Sequence, residues 1–164
     1  MTVKATYSTP MLHVAEIERS NRFYELLGFT AMDTDRCTPL GWARLHCEGG
    51  AVMFLRAEHP VDASAQAFML YMYTPDLPGL REQLLAGGVN VPPIKYPGYM
   101  PSGEIQVADP DGYAILVSHW GAAEQQTWES GSPARSNRKA SFQRWRPSWI
   151  FGHNADLTAA MVLQ

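Results

Sequence analysis

The feature that most constrains the fold is an internal repeat, in which one order of strand and helix patterns occurs twice along the chain. In the first copy the patterns are a strand at 9–15, a helix at 17–27, a strand from about residue 29, and strands at 41–47 and 51–57. In the second copy they are a strand at 67–74, a helix at 76–88, a proline-interrupted extended piece at 89–94, and strands at 104–108 and 113–120. Repeated units of this kind share one core, so the repeat predicts an α+β fold of two βαβββ modules.

Two short runs mark the modules. The run FYELLGF (23–29) closes the first helix onto a strand, with Gly28 at the helix end. The run DPDG (109–112) predicts a hairpin turn, because proline presets φ, aspartates accept hydrogen bonds from nearby amides, and glycine adopts a positive φ. The two hairpins can be aligned by placing Gly50 of the first on Gly112 of the second, an offset of 62 residues. In this alignment the alternation of apolar residues matches.

The composition suits one globular domain. With 46% hydrophobic and 18% charged residues, a chain of 164 residues can bury one sizeable core. No run approaches the roughly 20 apolar residues of a membrane helix, and residues 1–10 lack the apolar segment of a secretory signal. We therefore expect a cytoplasmic protein without a membrane partner. Cys37 and Cys47 lack the spacing of metal or redox motifs and are expected to be reduced thiols.

Charge is distributed unevenly along the chain. Residues 1–120 contain 13 acidic and 8 basic side chains, a net charge of −5, whereas residues 121–164 contain 3 acidic and 5 basic ones, a net charge of +2. The acidic body argues against a nucleic-acid partner and favours a cationic small molecule.

Residues 121–164 differ in character from the body. This segment is rich in Gln, Ser, Arg and Gly and has no clear period, so we expect a tail that is flexible or docked at the periphery. The aromatic residues of the tail that could contact the body or a partner are Trp128, Trp145, Trp149 and Phe151.

Taken together, these features resemble the vicinal oxygen chelate superfamily, which includes glyoxalase I, extradiol dioxygenases, metal-dependent fosfomycin resistance enzymes and bleomycin resistance proteins. The runs that carry the resemblance are TPML at 9–12, FYELLGF at 23–29, GW at 41–42 and DPDG at 109–112. The resemblance covers about residues 8–120 as a single domain, with modules at 8–58 and 66–120. It implies the glyoxalase/bleomycin resistance fold, in which the two modules pair into a curved mixed sheet with the helices outside.

Within the superfamily, the helix end FYELLGF and the GW strand are most similar to the bleomycin resistance type. Proteins of that type form homodimers whose modules enclose ligand grooves, and they bind a basic glycopeptide antibiotic without chemical reaction or cofactor. The resemblance therefore implies a homodimeric small-molecule binding protein associated with antibiotic resistance, and it favours binding over catalysis.

The metal site of the superfamily's enzymes is not supported by the residues at the matching positions. Those enzymes hold a divalent ion through His, Gln or Glu on the first and last strands of each module. The matching positions here are occupied by Thr9, Phe54, Ala67 and Leu116. Three of these side chains offer no donor and a single threonine cannot hold an ion, so no metal is expected at this site.

A relocated metal site is the alternative. His13, His46 and Glu104 are the only other set of donors that strand alternation places on the cavity side. Such a site would suit a glyoxalase-like lyase or isomerase, or a dioxygenase. Metal-free acid–base chemistry by Glu104 with His13 or His46 is a further option, and the sequence assigns no catalytic residue.

Without metal, the same strand faces become a candidate ligand site. The residues that alternation places on them are His13, Trp42, Arg44, Tyr71, Tyr73, Glu104 and Gln106, beside the apolar Met11, Met69 and Leu116. An ion pair between Arg44 and Glu104 is the structural alternative for those two residues.

The loop at 94–103 extends this candidate site. Bleomycin resistance proteins carry a ring-clamping aromatic there, whereas this chain has Met100 at the matching position, with Tyr96 and Tyr99 close by. Tyrosines on this loop could stack on a planar or cationic ligand.

Overall fold

The first module contains one helix and four strands. The structure, a computed structural model, describes residues 5, 8–62, 65 and 68–130, with the backbone alone for 127–130. The elements of the first module are β1 (Met11–Val14), α1 (Ile17–Glu25), β2 (Thr30–Thr34), β3 (Trp42–Cys47) and β4 (Gly50–Arg56). They form a sheet in the order β1-β4-β3-β2, in which only β1 and β4 are parallel. The predicted order β, α, β, β, β is confirmed in this half.

The second module has one strand fewer than predicted. Its elements are β5 (Met69–Thr74), α2 (Leu77–Ala86), β6 (Glu104–Ala108) and β7 (Ala114–His119), and its sheet has the order β5-β7-β6. The extended piece at 89–94 forms no strand, and only the following Lys95 makes a single bridge to Glu104. Pro92 and Pro93 lack the amide hydrogens that a ladder requires, which explains the shortfall. The predicted α+β class is confirmed, and the strands form two small mixed sheets where we expected one curved sheet.

Both sheets pack one face against a common core. Helix α1 buries Ile17, Ser20, Phe23 and Tyr24, three or four residues apart, and these lie on one side of a helix. The ring of Tyr24 contacts the rings of Phe23, Phe29 and Phe54 edge-on, with centroids 5.6, 5.6 and 4.9 Å away. Helix α2 is capped by Asp76, whose Oδ1 accepts a hydrogen bond from the amide of Gly79 at 2.9 Å.

The DPDG turn joins the modules. Gly112 has the predicted positive φ of 89°, and the Asp111 carboxylate accepts hydrogen bonds from Arg19 Nη2 at 2.7 Å and from the Ala15 amide at 3.1 Å. Next to it, Tyr113 donates from its hydroxyl to the carbonyl of His13 at 2.9 Å. The turn therefore fixes the second hairpin against the start of the first module.

The remaining described helix is α3 (Ala122–Ser130). The start of the tail segment at 121–164 is thus helical, and its Ala, Glu and Gln residues favour a helix. Contacts divide the chain after Ala123, within α3. Residues 131–164, with Trp145, Trp149 and Phe151, and the side chain of Trp128 lie outside the described residues. No helix in the described part of the chain is long and apolar enough to cross a membrane.

Candidate ligand-binding site

Each sheet has a core face towards the helices and an open face on the other side. On the first sheet, Leu12, Val14, Ala43, Leu45, Val52 and Phe54 are buried on the core face. Alternation along the strands then puts His13, Trp42, Arg44 and His46 on the open face. On the second sheet, register puts Tyr71 level with Leu116 and Gln106, and Glu104 level with Ser118, all on the open face. The candidate residues thus form two groups, one on each sheet.

The alternative ion pair between Arg44 and Glu104 is not formed. Arg44 Nη2 lies 3.8 Å from the carboxylate of Asp33, its neighbour across β2 and β3. Glu104 instead accepts a hydrogen bond from the Tyr99 hydroxyl, which lies 2.8 Å from Oε1. The two charged residues therefore lie on different sheets and have different partners.

Four residues around Glu104 form a compact polar group, which we call the Glu104 cluster: Tyr71, Tyr99, Glu104 and Ser118. The hydroxyls of Tyr71 and Ser118 are 2.7 Å apart. Glu104 is only 7% exposed, and its Oε2 atom has no hydrogen-bond partner among the described residues. The hydrogen bond to Glu104, then burial, and then the charges of Glu104 and Tyr71 raise the pKa of Tyr99, so its phenol remains a donor.

An aromatic row continues from this cluster along the second sheet. The ring centroids of Tyr71 and Tyr73 are 5.1 Å apart, and those of Tyr73 and Trp120 are 5.2 Å apart. Burial, and then the neighbouring Tyr71, raise the pKa of Tyr73. Trp120 was not among the predicted site residues. Its position directly after β7 could have indicated that it lies beside the tyrosines of the neighbouring strand β5.

The loop before β6 brings Tyr99 to this side. Tyr96 and Tyr99 are largely exposed and Met100 is half-buried. Two tight turns shape the loop, in which the Met100 amide donates to Pro97 and the Gly103 amide donates to Met100. Of the three, Tyr99 reaches Glu104, whereas no hydrogen bond joins Tyr96 or Met100 to the other candidate residues within the described part of the chain.

The alternative metal set of His13, His46 and Glu104 is wrong. His13 lies level with Leu55 of β4 and His46 lies level with Ala51, so the two histidines are separated by four residues, or about 13 Å, along the sheet. Glu104 belongs to the other sheet. Among the residues that the structure describes, no three His, Cys, Asp or Glu side chains form a group able to hold a metal ion. Burial, and then Arg44, lower the pKa of His46.

The family metal positions do not converge either. Phe54 is completely buried on the core face beside Tyr24, whereas Leu116 lies on the open face of the other sheet. Thr9 is half-buried in the segment before β1, and Ala67 lies outside the described residues. The described members of this set offer one hydroxyl and do not fit a metal ion.

The offset of 62 residues misplaced Phe54 because the hairpin loops differ in length. Two residues separate Cys47 from its partner Gly50, and five separate Ala108 from its partner Ala114. The difference is odd, so alternation is shifted by one residue after the hairpin, and the aligned positions of β4 and β7 lie on opposite faces.

A shallow cavity of about 420 Å³ lies elsewhere, where the edge of β1 meets the second module. It is lined by Pro10, Met11, Leu12, His13, Phe68 and Tyr113. Of the candidate ligand residues, it contains His13 with the apolar Met11, and it does not include the Glu104 cluster.

Comparisons with known proteins agree with this architecture. The family model described as "Glyoxalase/Bleomycin resistance protein/Dioxygenase superfamily" matches residues 7–117. No curated protein matches the chain.

Several solved structures share the fold. The bleomycin resistance determinant encoded on the transposon Tn5 is 22% identical, with a TM-score of 0.57 over 70% of this chain and 98% of its own. A bleomycin-binding protein complexed with bleomycin is 22% identical, with a TM-score of 0.57 over 71% of this chain and 99% of its own. TioX from Micromonospora sp. ML1 is 16% identical, with a TM-score of 0.57 over 69% of this chain and 98% of its own. At these identities the likeness establishes the fold.

Proposed function

We propose, from the premise that the chain belongs to the glyoxalase/bleomycin resistance protein/dioxygenase superfamily, that it binds and sequesters a small aromatic or cationic molecule without a metal ion. The ligand would lie in a groove between the open faces of two sheets in a homodimer. Sequestration, rather than turnover, is the activity that the residues on these faces support.

One observation carries the proposal: large apolar side chains are exposed on the open faces of both sheets. These side chains are Met11, Leu55, Met69, Tyr71 and Tyr73. Several large apolar side chains exposed on the faces of two sheets suit a binding or association surface, because leaving them in water is unfavourable. The tyrosines add hydroxyls that can fix a ligand's orientation.

A second copy of the chain would pack against these open faces in a homodimer. A sheet with one face on the core and an apolar open face gains stability when another layer packs on it. In a homodimer the open face of one protomer can meet the other sheet of its partner, and a ligand can fill the space between them.

Charge and donor chemistry support the ligand class and the absence of a metal role. Residues 1–120 carry a net charge of −5, which attracts a cation by long-range electrostatics. Glu104 is the buried carboxylate on the aromatic open face. The His13, His46 and Glu104 set is not assembled, which counts against a metal-dependent lyase or dioxygenase.

Calorimetric titration of the full chain with bleomycin tests the proposal. Bleomycin is the probe because one structural neighbour is described as a complex with it. We expect saturable binding, and a melting temperature that rises by several degrees, since ligand at 100 times Kd stabilises the folded state by about 2.7 kcal/mol.

Adding EDTA should leave the affinity unchanged. Abolition of binding by the chelator would contradict the metal-free part of the proposal. If neither bleomycin nor other basic glycopeptides shift the melting temperature, sequestration of this ligand class is wrong.

A further inference from the structure

The Glu104 carboxylate has an oxygen that no other described residue satisfies. Glu104 is 7% exposed, its Oε1 accepts from Tyr99 at 2.8 Å, and its Oε2 is buried without a hydrogen-bond partner among the described residues. A buried acceptor without a donor costs free energy, and the cost is greater for a charged group. Such an atom is therefore either a defect or half of an interaction that another molecule completes.

Neighbouring side chains do not complete the interaction. Ser118 lies directly opposite Glu104 on β7, but its hydroxyl is already engaged with that of Tyr71 at 2.7 Å. Lys95 lies opposite Glu104 on the other side and exchanges two backbone hydrogen bonds with it, at 2.9 and 2.8 Å. Within the described residues no Lys or Arg side chain forms an ion pair with Glu104.

The surroundings of the carboxylate are aromatic. The Tyr99 hydroxyl contacts the carboxylate, and the Tyr71 hydroxyl contacts Ser118, which lies level with Glu104 on the neighbouring strand. From Tyr71 the row continues through Tyr73 to Trp120 at ring spacings of 5.1 and 5.2 Å. Aromatic faces attract a cation through the ring quadrupole, and a carboxylate adds a charge-assisted hydrogen bond. A carboxylate beside several tyrosines is thus complementary to an organic cation that carries N–H donors.

We propose that Glu104 anchors a protonated amine or guanidinium group of the ligand, with its free oxygen accepting an N–H and the tyrosine rings packing against the attached ring or chain. This inference rests on the proposed function and names the chemical class that the site selects. The Tyr99 hydroxyl occupies Oε1 and partly satisfies the carboxylate, which leaves Oε2 for the ligand.

Three probes of matched size test the charge requirement on the full chain: 2-phenylethylamine, 2-phenylethanol and phenylacetate. We expect the amine to bind the wild type about tenfold tighter than the alcohol, and phenylacetate to bind weakest. Glu104→Gln should abolish the preference for the amine while leaving the affinity for the alcohol within about twofold. Glu82→Gln is the matched control, since Glu82 is exposed on α2 at the helix side of the same module.

A second variant separates the carboxylate from the shape of the loop. Tyr99→Phe keeps the ring but removes the donor to Oε1, so the carboxylate is less satisfied and should bind the amine about threefold tighter. Opposite effects of Glu104→Gln and Tyr99→Phe support the inference. An equal loss of amine preference in both variants, with both still folded by circular dichroism, would overturn it.

The outcomes distinguish this inference from the function on which it rests. Bleomycin binding together with equal affinities for the amine and the alcohol overturns the Glu104 assignment and leaves sequestration standing. Glu104-dependent amine binding without bleomycin binding supports the assignment and rejects bleomycin as the ligand. Absence of binding by all four compounds overturns both.

Discussion

The two aspartates of the DPDG turn differ in how folding affects their charged forms. Asp111 has a side chain that is only 3% exposed and forms an ion pair with Arg19 at 2.7 Å, so it links the turn to α1. Asp109 is buried under Tyr24 and accepts hydrogen bonds from the amides of Asp111 and Tyr113. Burial outweighs these hydrogen bonds and raises the pKa of Asp109 above its ordinary value of 3.8. The charged form of this residue is therefore disfavoured by folding.

This raised pKa predicts a pH dependence of stability. A carboxyl group whose pKa is higher in the folded state contributes stability below its unfolded pKa and loses it as pH rises through the folded pKa. The free energy of unfolding of the wild type, relative to Asp109→Asn, should fall as the pH rises from about 3.5 to about 7. Urea denaturation across this range measures the difference.

Asp35 provides a control of opposite sign. Burial acts to raise the pKa of Asp35, but hydrogen bonds from the amides of Cys37 and Gly41 lower it overall. The contribution of Asp35 is therefore present above its unfolded pKa and lost as pH falls through the folded pKa. The wild type should gain stability relative to Asp35→Asn as pH rises, and parallel slopes for the two comparisons would contradict this account.

Strands and hairpins determine which side chains share a face. The order of elements in the first module and the alternation within each strand could be predicted, because both follow from local pattern. Alternation also placed His13 and Trp42 on the open face. The relation between the modules could not be predicted from a glycine-to-glycine offset, because it depends on how many residues each hairpin loop contains. The hydrogen bond from Tyr99 to Glu104 could not be predicted either, because two turns of the loop determine where Tyr99 lies.

The loop before β6 can be tested at two glycines. Gly103 has a φ of 102°, and a Cβ there would lie 2.8 Å from Ile94 and 3.0 Å from Tyr96. Gly103→Ala should therefore lower the free energy of unfolding by about 2 kcal/mol and weaken ligand binding, because Tyr96 must move. A Cβ at Gly98, in the same loop, would meet no atom within 4 Å. Gly98→Ala should change stability by less than about 0.5 kcal/mol, and equal effects of the two variants would be evidence against the loop geometry.

At the scale of the whole molecule, apolar exposure and stability are linked. The two sheets are small, of four and three strands, and each offers the core only one of its faces. Their open faces expose methionine and tyrosine side chains that a dimer would remove from water. Association and ligand binding would then bury the same open faces. Because these faces are exposed in the single chain, a substitution there should alter association more than the stability of the isolated chain.

Tyr73→Glu tests this link. Tyr73 is 56% exposed in the single chain, so the substitution should change monomer stability by less than about 1 kcal/mol. In a dimer the same position would bury a carboxylate between two sheets, which is costly. We expect the wild type to sediment as a dimer with a melting temperature that rises with protein concentration, and Tyr73→Glu to sediment as a monomer without that rise. Leu85→Glu, at an exposed position on α2, should behave as the wild type, because it lies on the helix side. A monomeric wild type at all concentrations, or dissociation by Leu85→Glu but not by Tyr73→Glu, would place the association surface elsewhere.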